Sequence, residues 1–345
     1  MLVMPTTFFD PDQFAVADHL HRGCDLMRHN LFAEATVEFD EVLKLDPKQR
    51  YARWNRVLAR LSLGDYTNGL SEFDCAWDIY DWRKAAPGCA WDLFDKNKPG
   101  NGDIDRVLEL PVWYGGRCRL LVYHEMGFGD AIMALRFLPE LVRRCQSVTL
   151  VVHPTLVSLM RNCGAKVISH VPVDVSKFDA RVTFFNSIFI MGYSIETIPS
   201  APYIKTEFNF TGEWIGIAWS GYSRKEFTLE SFLELLMSNG FVHRYNIQSL
   251  QLGDADGLYP LRVGNFVDTA KIISGLDHVI TVDTAAAHLA GAMGHPSTHL
   301  ILPYMRDWRW WHKDVWYPTI KIYPQYDPDN WDAPFERINV ALRGN

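Results

Sequence analysis

The sequence is poor in the features that tie a protein to a membrane, a zinc ion or an oxidising compartment. None of its apolar runs approaches the ~18 residues that a membrane-spanning helix needs. Its six cysteines (Cys24, Cys75, Cys89, Cys118, Cys145 and Cys163) are scattered over 345 residues without a C-x-x-C pair. They read as free thiols in a reducing cytoplasm, not as a disulfide framework or a zinc site. The opening M-L-V-M-P-T-T-F-F-D has no basic segment, so no secretory leader and a cytoplasmic location are expected. Positive charge is not in excess either: the formal net charge is −7, which ranks a broad nucleic-acid footprint low. What is present, 48% hydrophobic and 22% charged residues, suffices for two or three domains with sizeable cores.

The stretch from Arg119 to Leu141 organises the rest. Leu120, Leu121, Val122 and Tyr123 are apolar in a row, which predicts a parallel strand covered on both faces. A tight loop with Gly127 and Gly129 follows, then a helix expected from about Asp130. Ala131, Leu135, Leu138 and Leu141 would form the apolar face of that helix. The two glycines permit positive φ and a close approach of backbone to a ligand. Asp130 falls where an N-cap belongs, at the carboxyl end of the strand, the end at which open α/β sheets bind ligands. As a residue alone, Asp130 serves equally well as a cap or as a catalytic group.

Further βα units follow, with strands expected at 148–152 and 166–168 and a helix at 154–162. Segments 178–184 and 188–191 are less clearly patterned. Pro199, Pro202 and Tyr203 mark an interdomain connection, after which the pattern restarts. A strand at 214–219 ends in Ser220-Gly221, a turn suited to lying under a phosphate, with Arg224 and Lys225 close behind. A helix at 227–237, a strand at 247–250 ending at Gln251, a helix at 268–276 and a strand at 278–282 lead to V-D-T-A-A-A-H-L-A-G-A-M-G-H-P. Here Asp283 and Thr284 end a strand and open a helix, and Ala285 lets its backbone come close to a ligand. A helix N-terminus carries about half a positive charge and free N–H groups, a natural seat for a diphosphate. His288 lies one turn along the same face. For the aromatic segment holding Trp308, Trp310, Trp311, Trp316 and Tyr317, packing is the commoner use and lining a base or sugar the rarer. A helix at 333–343 closes the chain.

The N-terminal part repeats at a shift of 34 residues: Phe32 falls on Tyr66, Ala35 on Gly69, Phe39 on Phe73 and Val42 on Ala76. That period, with small and aromatic residues at those offsets, resembles the tetratricopeptide repeat. Two units are few for a free-standing array, so a supporting role against the next domain is favoured over docking of a partner. The Pro-, Gly- and Asn-rich segment 95–105 reads as a linker.

Taken together, G-F-G-D, I-A-W-S-G-Y-S-R-K and V-D-T-A-A-A-H-L-A-G-A-M-G-H-P, in that order, resemble the heptosyltransferase-like glycosyltransferases of family nine, in the subgroup preceded by tetratricopeptide repeats. L-P-V-W-Y-G-G and R-D-W-R-W-W add to the likeness. The resemblance implies an α/β fold of GT-B type: two Rossmann-like domains facing a cleft, preceded by an all-α helical repeat domain. The boundaries expected are 1–94 for the repeats, 95–110 for the linker, 111–206 for the acceptor-side domain and 207–345 for the nucleotide-sugar domain. The last helix would pack back on the first α/β domain. The function implied is inverting, metal-independent transfer of a sugar (hexose or heptose) from a nucleotide diphosphate sugar to a hydroxyl. Asp130 would be the general base. Gly127, Gly129, Ser220, Gly221, either Arg224 or Lys225, Gln251, Asp283, Thr284, Ala285 and His288 would bind the donor. No cofactor is implied besides the donor itself, and the Asp254-Ala255-Asp256 triplet is read as solvated, not metal-binding. The acceptor would be a glycan, a protein or another hydroxyl compound, with docking on the repeats as the alternative to their supporting role and DNA ranked low. The alternatives are a non-catalytic nucleotide- or partner-binding repeat protein and a GT-B-like nucleotide-sugar epimerase.

Overall fold

A computed structural model describes residues 11–73, 107, 109–124, 126–169, 173–221, 227–238, 245–252, 257–328 and 330–343. Arg224, Lys225 and the Asp254–Asp256 triplet, together with most of the expected linker, lie outside the described residues. Among the described residues four helices come first: α1 (Pro11–Arg28), α2 (Phe32–Leu45), α3 (Arg50–Ser62) and α4 (Tyr66–Ser71). Short loops fold successive helices back on one another, and small residues let them close up. A Cβ at Gly23 would sit 2.5 Å from the Phe39 ring, and one at Gly69 would sit 2.6 Å from the Leu61 side chain. Across the outer face, Arg56 reaches Asp40 at 2.5 Å and Glu72 at 2.6 Å, and Arg60 reaches Glu72 at 2.8 Å.

Two parallel sheets follow. The first holds β1 (Arg119–Tyr123), β2 (Ser147–Val151), β3 (Lys166–Ile168) and β4 (Ala180–Thr183) in the order β3-β2-β1-β4. Leu120 pairs with Val148 on one side and Ala180 on the other, so the four apolar residues of β1 occupy the centre and are fully buried. Its helices are α5 (Phe128–Ala134), α6 (Leu138–Arg144), α7 (Pro154–Met160) and α8 (Phe184–Ile190). The single helix expected from Asp130 to Leu141 is therefore broken, with a 3-10 turn at Leu135–Phe137 between α5 and α6. Pro139 explains the break, since it has no N–H to give and its ring crowds the carbonyl four residues earlier. Segment 184–190 is helical because Thr183 caps it, accepting the Asn186 N–H at 3.2 Å.

The second sheet runs β10-β9-β8-β5-β6-β7, from β5 (Trp214–Ala218), β6 (Asn246–Leu252), β7 (Tyr259–Leu261), β8 (His278–Thr281), β9 (Thr298–Leu302) and β10 (Ile320–Pro324). Its helices among the described residues are α9 (Leu229–Met237), α10 (Phe266–Ser274), α11 (Ala285–Met293), α12 (Lys313–Trp316) and α13 (Asp332–Arg343). Phe335 of α13 packs on Phe227 and Phe232, in the core of its own sheet and not on the first. In each sheet the order of travel reverses next to a central strand, between β1 and β4 and between β5 and β8. Those reversals leave crevices at the carboxyl ends of the strands.

The helical segment is keyed to both sheets. Tyr66 of α4 meets Trp308 edge to face and accepts a hydrogen bond from the Trp316 indole at 2.8 Å. Phe32 meets Trp311, and Phe73 stacks on Phe185 beyond β4. The aromatic segment thus serves as a packing wedge between the helices and the sheets. Among the described residues no helix is long and apolar enough to cross a membrane.

Candidate active site

The carboxyl end of β1 enters a bend in which Met126, and not a glycine, takes positive φ (114°). Gly127 is the N-cap of α5 with extended backbone (φ −78°, ψ 174°). The expected use of positive φ at Gly127 and Gly129 is therefore corrected. Gly129 has another reason to lack a side chain: a Cβ there would lie 2.5 Å from the His288 ring. The first-domain loop and the second-domain helix α11 meet at that point.

Asp130 is the third residue of α5 and not its N-cap. One carboxylate oxygen accepts the Gly127 N–H at 3.0 Å, which closes the first turn. The other pairs with Arg309, contributed by the 3-10 helix Trp308–His312 that follows β9. Arg309 is held in turn by Asp307, at 2.7 Å from Nη1, and lies over the Trp308 ring. The Arg309 side chain is 7% exposed and that of Asp130 is 19% exposed, so the pair is largely withdrawn from water. Burial pushes the Asp130 carboxyl above the usual range, while Arg309 and the Gly127 N–H restrain the rise. The result is a carboxylate with raised proton affinity on the rim of the first domain.

On the second domain, β8 leads through Asp283 to Thr284, the N-cap of α11. The Thr284 hydroxyl contacts that of Thr281 at 2.9 Å instead of capping a backbone N–H. The first N–H groups of α11, beginning at Ala285, thus point out of the helix end with no intrahelical acceptor. Asp283 lies 3.8 Å from His288 Nε2. Burial, and then the nearby Asp307, push its carboxyl upward, Arg309 opposes them, and water at its 38% exposed side chain screens all three. His288 is buried, and its Nδ1 lies 3.0 Å from the Tyr317 hydroxyl. Burial first, then Arg309 and Arg136, drive its imidazole well below the ordinary value, so it stays neutral.

One strand over, Ala218 pairs with Thr281, and the Trp219–Gly221 loop leaves β5 beside the Asp283–Thr284 turn. Gln251 splints this loop. Its Oε1 accepts the N–H groups of Trp219 at 2.9 Å and Ser220 at 3.0 Å, and its Nε2 donates to Ser220 O at 3.1 Å. Its amide shapes the loop more than it faces a ligand. The structure therefore brings Gly127, Gly129 and Asp130 together with Asp283, Thr284, Ala285 and His288, and sets Ser220, Gly221 and Gln251 alongside. Arg309 and Asp307 join the site although the sequence reading gave neither a role, and Tyr317 joins it from the aromatic set. The sequence signal for Arg309 and Asp307 was the alternation of Arg and Asp with Trp in R-D-W-R-W-W.

The chain is similar to the iron-containing dodecameric glycosyltransferase TibC from enterotoxigenic E. coli H10407, at 12% identity over 65% of this chain and 67% of that one, with a TM-score of 0.42. It is similar also to TibC described as a heptosyltransferase in complex with ADP-D-beta-D-heptose (10% identity, 68% and 79% covered, TM-score 0.45). A mutant O-GlcNAc transferase from Thermobaculum terrenum gives 10% identity, 97% and 91% covered, and a TM-score of 0.35. No family model and no curated protein sequence matches the chain.

Proposed function

We propose that this chain is a GT-B-type glycosyltransferase that moves a sugar from a nucleotide diphosphate sugar to an acceptor hydroxyl with inversion. The observation that carries the proposal is the meeting of two unlike groups across one domain junction. Asp130 stands on the first domain, and the open N-terminus of α11 stands on the second, with the His288 ring against Gly129. Transfer needs a base for the acceptor and stabilisation of the departing diphosphate. In this reading the acceptor oxygen attacks the anomeric carbon as its proton passes to Asp130. The bond to the diphosphate breaks on the opposite face, which inverts the centre. The helix end, with Ser220 and Gly221, holds the leaving diphosphate, and Arg224 or Lys225, which follow in the sequence, would supply the cation. No metal is required in this scheme, and chelation is expected to leave turnover unchanged. The repeat-like helices act here as a support, a role favoured by the aromatic wedge that fills their inner face.

The test is turnover of a panel of nucleotide sugars (uridine, guanosine, adenosine and thymidine diphosphate sugars) without acceptor, read as release of nucleoside diphosphate. One member of the panel is expected to be hydrolysed slowly and to be protected by its own nucleoside diphosphate. Neither binding nor hydrolysis of any member would reject the proposal.

A further inference from the structure

Behind His288 lies a buried chain of polar groups that crosses from the first domain to the second. Arg136, in the 3-10 turn after α5, is its source. Its guanidinium donates to Met133 O at 3.1 Å, Pro199 O at 3.0 Å and Trp316 O at 2.7 Å. It also reaches the Tyr203 hydroxyl at 3.4 Å and sits 4.6 Å from the centre of the Tyr317 ring. The Tyr203 hydroxyl spends its one proton on Ile132 O at 2.9 Å. Toward Tyr317 it can then only accept, across 3.4 Å.

The Tyr317 hydroxyl also has one proton and two possible acceptors, the Tyr203 oxygen and His288 Nδ1, the latter at 3.0 Å. The imidazole nitrogen is closer, and it is the stronger acceptor. The adjacent Arg136 cation makes the Tyr317 phenol a better donor. At the other end of the ring, Nε2 faces the Asp283 carboxylate at 3.8 Å, which favours a proton on that nitrogen. Both ends of the imidazole thus select one tautomer.

We infer that Tyr317, backed by Arg136, is a positioning residue that holds His288 with its proton on Nε2, aimed as an N–H donor into the crevice beside Gly129 and the α11 N-terminus. The ligand this donor would meet is the diphosphate of a nucleotide. That part rests on the function proposed above; the tautomer does not. The charged groups around the imidazole are Arg309, Arg136 and Asp283; burial and the two cations keep the ring neutral, against the pull of the Asp283 carboxyl.

The test uses the full chain labelled with 15N at histidine, with the His288 ring signals assigned by their loss in His288→Gln. Long-range proton–nitrogen correlation at pH 8, where the Asp283 carboxyl is ionised, is expected to show a protonated Nε2 and a bare Nδ1. Tyr317→Phe removes the donor, so its His288 nitrogens should move toward the averaged values of a tautomer mixture. Affinity for UDP, GDP or ADP, whichever the parent binds best, should fall about tenfold with loss of an oriented hydrogen bond. A parent spectrum with the proton on Nδ1 overturns the inference without recourse to any variant, as does a Tyr317→Phe spectrum identical to the parent. If the parent has the expected tautomer but binds none of the three nucleotides, the donor-site reading fails and the tautomer assignment stands.

Discussion

Asp130→Asn is expected to lower turnover by about 100- to 10,000-fold, the usual contribution of a positioned general base. The amide keeps the shape of the carboxylate but cannot take the acceptor proton at neutral pH. It has a single oxygen where Asp130 uses two, one for the Gly127 N–H and one for Arg309. The variant must give up one of these bonds, so a loss of about 1–2 kcal/mol of stability accompanies the loss of activity. Nucleoside diphosphate affinity should stay close to the parent's, since the α11 N-terminus is untouched. Turnover, melting temperature and affinity measured on one preparation separate the possibilities. A residue that only closes a helix and an ion pair would show the stability loss with near-parental turnover, and that outcome would remove Asp130 from the chemistry.

The second large effect concerns Arg309, whose guanidinium is shared among carboxylates from two domains. Arg309→Met keeps much of the volume but leaves Asp130, Asp307 and Asp283 close together without their cation. Breaking a buried pair from one side costs about 3–5 kcal/mol. Asp130 and Asp307 retain some contact with water, so about 3 kcal/mol is expected at pH 8. The pH dependence has a definite sign. The folded-state value of Asp130 already lies above its ordinary 3.8, and removing Arg309 raises it further. The stability linked to the protonated carboxyl is full below about 4 and is lost as pH rises through the folded value. Relative to the parent, the deficit of Arg309→Met should therefore widen from pH 5 to pH 8. Melting curves with an equal deficit at both values would show a packing defect and not carboxylate repulsion.

These two residues also show where sequence reasoning runs out. The central strand β1 was readable because four adjacent apolar residues have few other uses, and α11 because Thr284 follows a strand and precedes an alanine run. Pro139 is a local break signal set inside the helical spacing of Leu135, Leu138 and Leu141, and that spacing alone predicts one continuous helix. The strands β9 and β10 are short apolar runs whose identity depends on neighbours in the sheet. The Asp130–Arg309 pair joins positions 179 residues apart, and no local pattern announces it. Gly129 looks like a loop glycine in the sequence, while its lack of a side chain is explained by His288 on the other domain. The local half of the site was legible; the half made by domain contact was not.

The central claim is that the diphosphate of a nucleotide sugar lies at the α11 N-terminus, across the junction from Asp130. Crystals of the protein grown with the nucleoside diphosphate that binds best test it directly. The account predicts phosphate oxygens within hydrogen-bond distance of the Ala285 N–H and His288 Nε2, with the sugar side of the crevice open toward Asp130. A nucleotide bound elsewhere, such as the shallow groove lined by Pro202, Lys205 and Thr206, with this crevice unoccupied, would contradict it.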